Sequence, residues 1–468
     1  YRERYLPVRN AVKVFSIYRI GDVGILLAMW ASHQLWDENI TFLKLNNESL
    51  VHEHLTGHSA IGVFISVCIL LAASAKSAQF PFSSWLPRAM EGPTPSSAIF
   101  YGSLSVHFGV FLLLRTEHFW GAQITAKILI ILVGLLTAII AYYIARVQST
   151  IKAQIAYASI SQIGIMFIEI ALGLETLALI HFMGNAFLRT YQLLVSPSAV
   201  AYLMRDMFYN YKPIKPTNNN IITTKLKSTL YILSLKEFDM DTILNKFIFN
   251  PFKILGHKLA FLNMQNFLFY SIPVIVLFTT LRLYDYLLPI IIKENISEVI
   301  ALLAFLFVMR AFAERHNPIL SFSLVFINHL FMAIAISFNE HFENDHIIIY
   351  LSGIVLSVII GLICLNYMSK KEKNHFTLKE YLGHVHEHRM VALLSLISSL
   401  GAMGFPITPS FIGEDLIFSH IHEHQFVLAT LYATSYILSG ITLIRIYSRI
   451  FLGIHIKNNL STPLQSSY

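Results

Sequence analysis

The fold turns on Lys76-Ser77-Ala78-Gln79-Phe80-Pro81-Phe82-Ser83-Ser84-Trp85-Leu86-Pro87-Arg88-Ala89-Met90-Glu91-Gly92-Pro93-Thr94-Pro95-Ser96-Ser97-Ala98. It follows an apolar run and leads into another. Proline removes a backbone donor and clashes with the preceding turn, so the helix that carries Lys76 breaks near Pro81. In lipid the freed carbonyls need a partner from protein or water. A second stretch, Gly404-Phe405-Pro406-Ile407-Thr408-Pro409, is followed by Gly413-Glu414-Asp415 and repeats the arrangement. Two plain proline kinks would read the same way. The ionisable residue beside each break favours the discontinuous helices of secondary transporters.

The composition agrees with a membrane chain. Of 468 residues, 55% are apolar and only 13% are charged, against about 25% in a soluble domain. So much apolar surface cannot be hidden in one water-soluble core, which excludes a disordered chain and a typical soluble enzyme. No basic patch interleaved with aromatics stands outside the apolar runs, so no nucleic-acid partner is expected. Cys68 and Cys364 lie in apolar segments and form no disulfide framework or CxxC pair. There is no Rossmann fingerprint, P-loop, cluster-binding cysteine set or haem motif, so no cofactor and no redox or hydrolytic site is expected in this chain.

A spanning helix needs about 20 mostly apolar residues. By that measure about a dozen segments qualify: 11–36, 59–80, 96–114, 122–145, 153–173, 176–203, 266–282, 296–313, 319–338, 346–367, 390–419 and 426–449. The fold class is therefore an all-α polytopic membrane protein. The connections alternate in charge. The start (Arg2, Arg4, Arg9, Lys13), the segment 204–265, the loop 368–389 and the tail (Arg445, Arg449, Lys457) are basic, whereas 37–58 and 339–345 are acidic. The positive-inside rule then puts both ends on the cytoplasmic side of a bacterial-type inner or plasma membrane. The part from Ser228 to Leu262 is amphipathic and reads as a helix on the lipid bilayer surface.

The residues that stand out are ionisable groups within the spans. Each costs about 2.5–3.5 kcal/mol at a helix centre, so each tends to face the protein interior and to be paired. Asp22 follows Arg19 by three positions and shares its helix face. Lys76 stands in the apolar run before the first break. His181, Asn185 and Arg189 recur every four residues as one polar stripe. Glu169 reads as a cap at a helix end. Singly, each has a structural explanation; together they suggest an ion or proton path. His-Glu-His occurs at 52–54, 386–388 and 422–424, but the spacing suits a loop, and no metal site is expected.

At this point the chain resembles a known family. The stretch from Lys76 to Ala98 looks like the signature of the proton-conducting antiporter-like subunits of respiratory complex I, the Mrp-type antiporters and their relatives. Lys152…Ala156-Tyr157-Ala158-Ser159-Ile160-Ser161-Gln162-Ile163-Gly164, Ile180-His181-Phe182-Met183-Gly184-Asn185-Ala186-Phe187 and Arg19-Ile20-Gly21-Asp22 match further motifs. The resemblance implies inverted repeats with two broken helices. It implies a proton pathway through Lys76, Lys152, His181, Arg189 and Glu414, a modulating ion pair of Arg19 and Asp22, and helix breaks at Pro81, Pro406 and Pro409. It implies that the helix before Tyr1, which carries a glutamate in the family, precedes this chain, whose first methionine is Met29.

Several positions depart from the complex I pattern. Tyr101 replaces a histidine, Asn185 a histidine, Arg189 a lysine and Glu414 a lysine, and extra sequence fills 205–389. These departures suit the membrane subunit of an inorganic-carbon (Dab-type) uptake complex, which pairs with a large soluble zinc protein. A complex I (NADH-quinone oxidoreductase) or Mrp-type subunit, with other membrane subunits as partners, is the alternative, and a non-conducting scaffold a third. The division expected is 1–204, a proton-conducting transmembrane domain; 205–265, an interfacial insertion; 266–389, further transmembrane helices; and 390–468, the second broken helix, last span and tail.

Overall fold

The computed structural model describes residues 2–36, 59–210, 221–284, 289–339, 344–372, 376–406, 408–422 and 424–454. The acidic loop 37–58, with the first His-Glu-His, lies outside them. Among the described residues the chain is helical, with no strand. Its helices are α1 (Tyr5–Trp36), α2 (Ser59–Lys76), α3 (Trp85–Ala89), the helical segment α4 (Thr94–Arg115), α5 (Ile124–Ala145), α6 (Ile151–Ala171), α7 (Glu175–Tyr209), α8 (Ile221–Leu235), α9 (Met240–Leu244), α10 (Asn250–Lys258), α11 (Phe267–Leu283), α12 (Ile290–Ala313), α13 (Pro318–Ser337), α14 (Asn344–Lys371), α15 (Arg389–Ala402), α16 (Pro409–Ser419) and α17 (Phe426–Phe451).

Eight of these are long and apolar enough to cross a membrane by length and composition, among the described residues. Three of the other expected spans hold shorter apolar helices, Ala60–Lys76, Phe267–Leu283 and Arg389–Ala402. The fourth, 176–203, lies in α7. The two shortened helices α2 and α15 are those that stop at a break.

Both breaks are true interruptions whose polar backbone is satisfied by protein, as a lipid surround demands. At the first, Trp85 Nε1 donates to the Ala75 carbonyl (3.0 Å), Phe80 N–H to Thr137 Oγ1 (2.9 Å), and Ser77 Oγ accepts from Gly109 N–H (3.0 Å). At the second, Ser410 Oγ donates to Gly401 O (2.6 Å) and Arg19 Nη2 to Met403 O (2.6 Å). Pro409 opens α16, where its missing N–H has no partner to lose. Gly404 has φ +67°, and a Cβ there would run into the Glu414 carboxylate. The second break thus needs glycine both for its backbone and for the acid beneath it.

α1 is the seam between two halves. One half is built on α2 to α7, the other on α11 to α17, and α1 packs along both α2 and α17. It approaches α2 closely because Gly24 carries no side chain: a Cβ there would sit 2.7 Å from the Cys68 carbonyl. Trp30 of α1 completes the seam, donating to Ile421 O (3.1 Å) and packing on Phe64 and Phe426.

The amphipathic region 228–262 is not one surface helix. Glu237, Phe238 and Asp239 have φ of 52°, 53° and 51°, and they separate α8 from a second helical run in which α9 and α10 are joined by a π-helical stretch, Asn245–Phe249. Three consecutive non-glycine residues in the left-handed region cost of order 1–3 kcal/mol each. The reversal is offset by what it delivers. Met240 is buried at 2% exposure, Glu237 and Asp241 reach Arg88 (2.8 and 3.1 Å), and Asp241 also takes Lys13 and Ser84 (both 2.5 Å). The insertion is pinned to the residues just beyond the first break.

Burial pushes the Asp241 carboxyl up, but Lys13, Ser84 and Arg88 outweigh it and hold it below the usual carboxylate range. A group depressed in the folded state stabilises fully above its unfolded value and loses that contribution as pH falls through the folded one. Asp241→Asn is therefore expected to lower the melting temperature at neutral pH. The gap to the native protein should close as pH falls below about 4. Thermal unfolding of the two proteins across pH checks this; a gap independent of pH would contradict the tie.

Candidate functional site

The polar residues inside the helices form a row, most of it linked by hydrogen bonds. At the α6–α7 end, His181 Nδ1 meets Glu169 Oε1 (2.9 Å) and Nε2 meets Gln162 Oε1 (2.9 Å). Each ring nitrogen faces an oxygen, so the ring bridges a carboxylate and an amide. Glu169 is thus a partner of His181 rather than only a helix-end residue.

The next group centres on His107, which the sequence reading passed over. It is 1% exposed, on α4 just after a π-helical stretch, Ala98–Leu104. Its Nδ1 faces the Ser103 carbonyl (2.9 Å), an acceptor only, so Nδ1 carries the proton and Nε2 accepts from Asn185 Nδ2 (3.1 Å). Asn185 also donates to Ser159 Oγ (3.2 Å) and accepts from Arg189 Nε (3.1 Å). Arg189 continues to Gln192 Oε1 (2.7 Å). The stripe His181, Asn185, Arg189 is therefore divided between two partners on neighbouring helices.

Lys76 lies at the last residue of α2. Its ammonium is 3.0 Å from Asp22 Oδ1 and 4.3 Å from the centre of the Tyr18 ring. Tyr18 OH in turn meets Ser105 Oγ (3.4 Å), two residues before His107. The Lys76–Asp22 pair is not sealed, with 34% and 41% of the side chains exposed. An ion pair so open adds little stability; its significance is position.

Arg19 and Asp22 do not pair with each other. The i,i+3 spacing puts both on one side of α1, but α1 is a seam, and each charge has a partner in a different half. Asp22 faces Lys76. Arg19, 7% exposed, donates to Met403 O and lies over the Tyr436 ring at 3.6 Å. The Tyr436 hydroxyl faces the Glu414 carboxylate, toward which Arg19 also directs its charge. Glu414 is 6% exposed. Tyr432 and Tyr350 follow, and Tyr350 OH meets His329 Nδ1 at 2.7 Å. Among the described residues Asn328 Oδ1, Glu414 Oε1 and Ser435 Oγ are buried without a hydrogen-bond partner, and with His329 they line one small cavity with room for about one water molecule.

Lys152 is placed apart. It sits in the first turn of α6 and donates to Gly92 O (3.0 Å), on the loop beyond the first break. Pro81 and Pro406 lie in the two breaks and Pro409 at the start of α16. His386 and the residues around it tie down the start of the chain, with Nε2 2.8 Å from Glu3. His422 and His424 stack on each other. His107 and His329 had one available signal in the sequence: a lone histidine inside an otherwise apolar span is costly and tends to be functional.

Residues 2–222 match the family model described as NADH:quinone oxidoreductase/Mrp antiporter, TM. The chain is 36% identical over 199 residues to NADH-ubiquinone oxidoreductase chain 5 of Rhizopus stolonifer, covering 42% of this chain and 29% of that protein. It is 36% identical over 236 residues to the probable inorganic carbon transporter subunit DabB2 of Halothiobacillus neapolitanus, covering 50% and 41%. It is 28% identical over 421 residues to NADH-ubiquinone oxidoreductase chain 5 of Pseudosoriculus fumidus, covering 83% and 62%. The chain thus spans less than two thirds of the length of these relatives.

Removing one partner of a buried charge leaves the other uncompensated, at a cost of about 3 kcal/mol or more. Arg19→Met is expected to destabilise by about that amount, and Glu414→Gln added to it to recover part of the loss. Thermal unfolding of the native protein, both single variants and the double variant checks this; strictly additive losses would show that Arg19 does not compensate Glu414.

Proposed function

We propose that this chain, an integral membrane protein belonging over residues 2–222 to the antiporter-like NADH:quinone oxidoreductase/Mrp family, conducts protons as one subunit of a larger energy-coupling complex. The observation that carries the reading is the row of ionisable and hydrogen-bonding side chains from Glu169 and His181, through His107, Asn185 and Arg189, to Lys76 and Asp22, and on to Glu414 and His329. Intramembrane ionisable groups are expensive, and a chain that retains so many in sequence has a use for them.

In this reading Lys76 is the central carrier. With Asp22 at 3.0 Å its ammonium has a counter-charge. Withdrawal of that carboxylate leaves a cation in low-dielectric surroundings, which drives the proton to the next acceptor. His107 has one protonated and one accepting nitrogen, so it can take a proton on one side and release it on the other. Arg189 cannot give up its proton and acts by its charge on Asn185. Lys152, at the far end of α6, serves the entrance or exit. In the second half Glu414 and His329 exchange protons through a water seated between them. The basic bias of the connections supports placing both ends of the chain on the cytoplasmic side.

The coupled partner is the finer question. Likeness to DabB2, together with the departures at Tyr101, Asn185 and Glu414, favours an inorganic-carbon uptake complex and a large soluble partner. The alignment with chain 5 over 83% of the chain favours an oxidoreductase with other membrane subunits. The proteins that co-purify distinguish the two.

Proton flux into vesicles holding the full-length protein with its co-purifying subunits tests the proposal. Lys76→Ala is expected to lower flux by at least about tenfold, while Arg146→Ala, at an exposed residue that donates to Tyr142, leaves it unchanged. Native flux from Lys76→Ala would remove the central carrier. A native protein with no flux would leave the scaffold reading.

A further inference from the structure

A cavity of about 660 Å³ opens where the start of α1, the end of α12 and the end of α17 meet, bordered by α9 and α10. Its lining is strongly basic. Lys13 and Arg88 are engaged by Asp241, but Arg9, Lys253, Arg315, Arg445 and Arg449 line the same space, and among the described residues none of these five lies within 4 Å of a carboxylate. Arg445 turns to the backbone instead, donating to the carbonyls of Phe312 (2.7 Å), Ala311 (3.2 Å) and Glu314 (3.4 Å). Arg449 donates to Lys379 O (2.9 Å) and lies over the Tyr381 ring at 4.0 Å.

These cations repel one another. Burial, with Arg315 and Arg445 close by, pushes the Lys253 ammonium below the usual lysine range. Burial and Arg449 do the same to Arg315, against the partial help of Glu314. Uncompensated positive charge of this density repels protons, so the cavity is no entrance to the polar row. It attracts anions. The remaining wall is mixed: Glu91 and polar residues such as Asn10 and Asn245 line part of it, and Leu244, Phe249, Phe312 and Ile441 form an apolar part. A small hydrated anion would leave that apolar part unused, whereas a phosphate ester with an apolar portion would cover it.

We propose that this cavity binds a phosphate group, held by the guanidinium forks of Arg315 and Arg449 and the ammonium of Lys253. Arginine matches phosphate oxygens two at a time, and the apolar wall accepts the carbon skeleton to which the phosphate is attached. The source is the headgroup of an anionic phospholipid or free phosphate, which share this chemistry. The site is independent of whether the chain conducts protons.

The test uses the full-length protein with its co-purifying subunits in nanodiscs. One arm uses phosphatidylcholine doped with phosphatidylglycerol and reads retained phosphatidylglycerol by native mass spectrometry. The other titrates inorganic phosphate into phosphatidylcholine nanodiscs and follows thermal unfolding. The native protein is expected to hold phosphatidylglycerol through delipidation, and the Arg315→Gln/Arg449→Gln variant to hold it about 30-fold less tightly. The Arg315→Lys/Arg449→Lys variant, which keeps charge without the fork, falls between. Stabilisation by inorganic phosphate, lost in the glutamine variant, would assign the site to free phosphate; retention of phosphatidylglycerol alone would assign it to lipid. If the double variant fails to fold, Lys253→Gln, which removes no hydrogen bond among the described residues, replaces it and is expected to weaken binding in the same direction. Equal retention by native and variant proteins with no response to phosphate would overturn the site.

Discussion

Everything else in this structure depends on two opposite charges one turn apart on a single helix. Arg19 and Asp22 stand on α1, and α1 lies between the two halves. Asp22 answers the lysine at the end of the first interrupted helix; Arg19 answers the freed carbonyl and the acid of the second. Arg19 is buried and has to be met, because desolvating a charge costs several kcal/mol, whereas Asp22 meets Lys76 in an open pair. Meeting both from one helix fixes α1 against both breaks at once. Tyr436 lies under Arg19 and faces Glu414.

The breaks themselves follow from the same constraint. An interrupted helix in lipid survives only when its orphaned backbone groups find protein partners. Here Thr137, Ser77, Ser410 and Arg19 supply them. The bends bring ionisable side chains to the interior, where the polar row runs. The segment 237–241 is bonded to Arg88 and Ser84, just beyond the first break, and to Lys13 of α1. A movement at that break would therefore be felt in this segment.

The parts legible from the sequence are those fixed by local chemistry. Pro81, Pro406 and Pro409 stop helices whatever surrounds them, and apolar length marks most of the spans. Non-local partners were not legible. The spacing of Arg19 and Asp22 suggested a pair, but in a crowded bundle each charge found a stronger claim across a helix interface. Asn185 read as one step in a stripe, while its partner His107 arrives from another helix. Glu169 at a helix end read as a cap, because nothing local reveals that His181 folds back onto it. The reversal at Glu237, Phe238 and Asp239 has no glycine to announce it, and only the ion pairs it makes explain it.

In the proposed function the two breaks serve one path, joined at α1. A double-mutant cycle on proton flux tests it most directly, with Asp22→Asn in the first half, Glu414→Gln in the second, and both together in the full-length protein. A single path predicts that the double variant conducts about as slowly as the slower single variant. If the two losses multiply as independent effects, the halves do not share a path and α1 is only a structural strap.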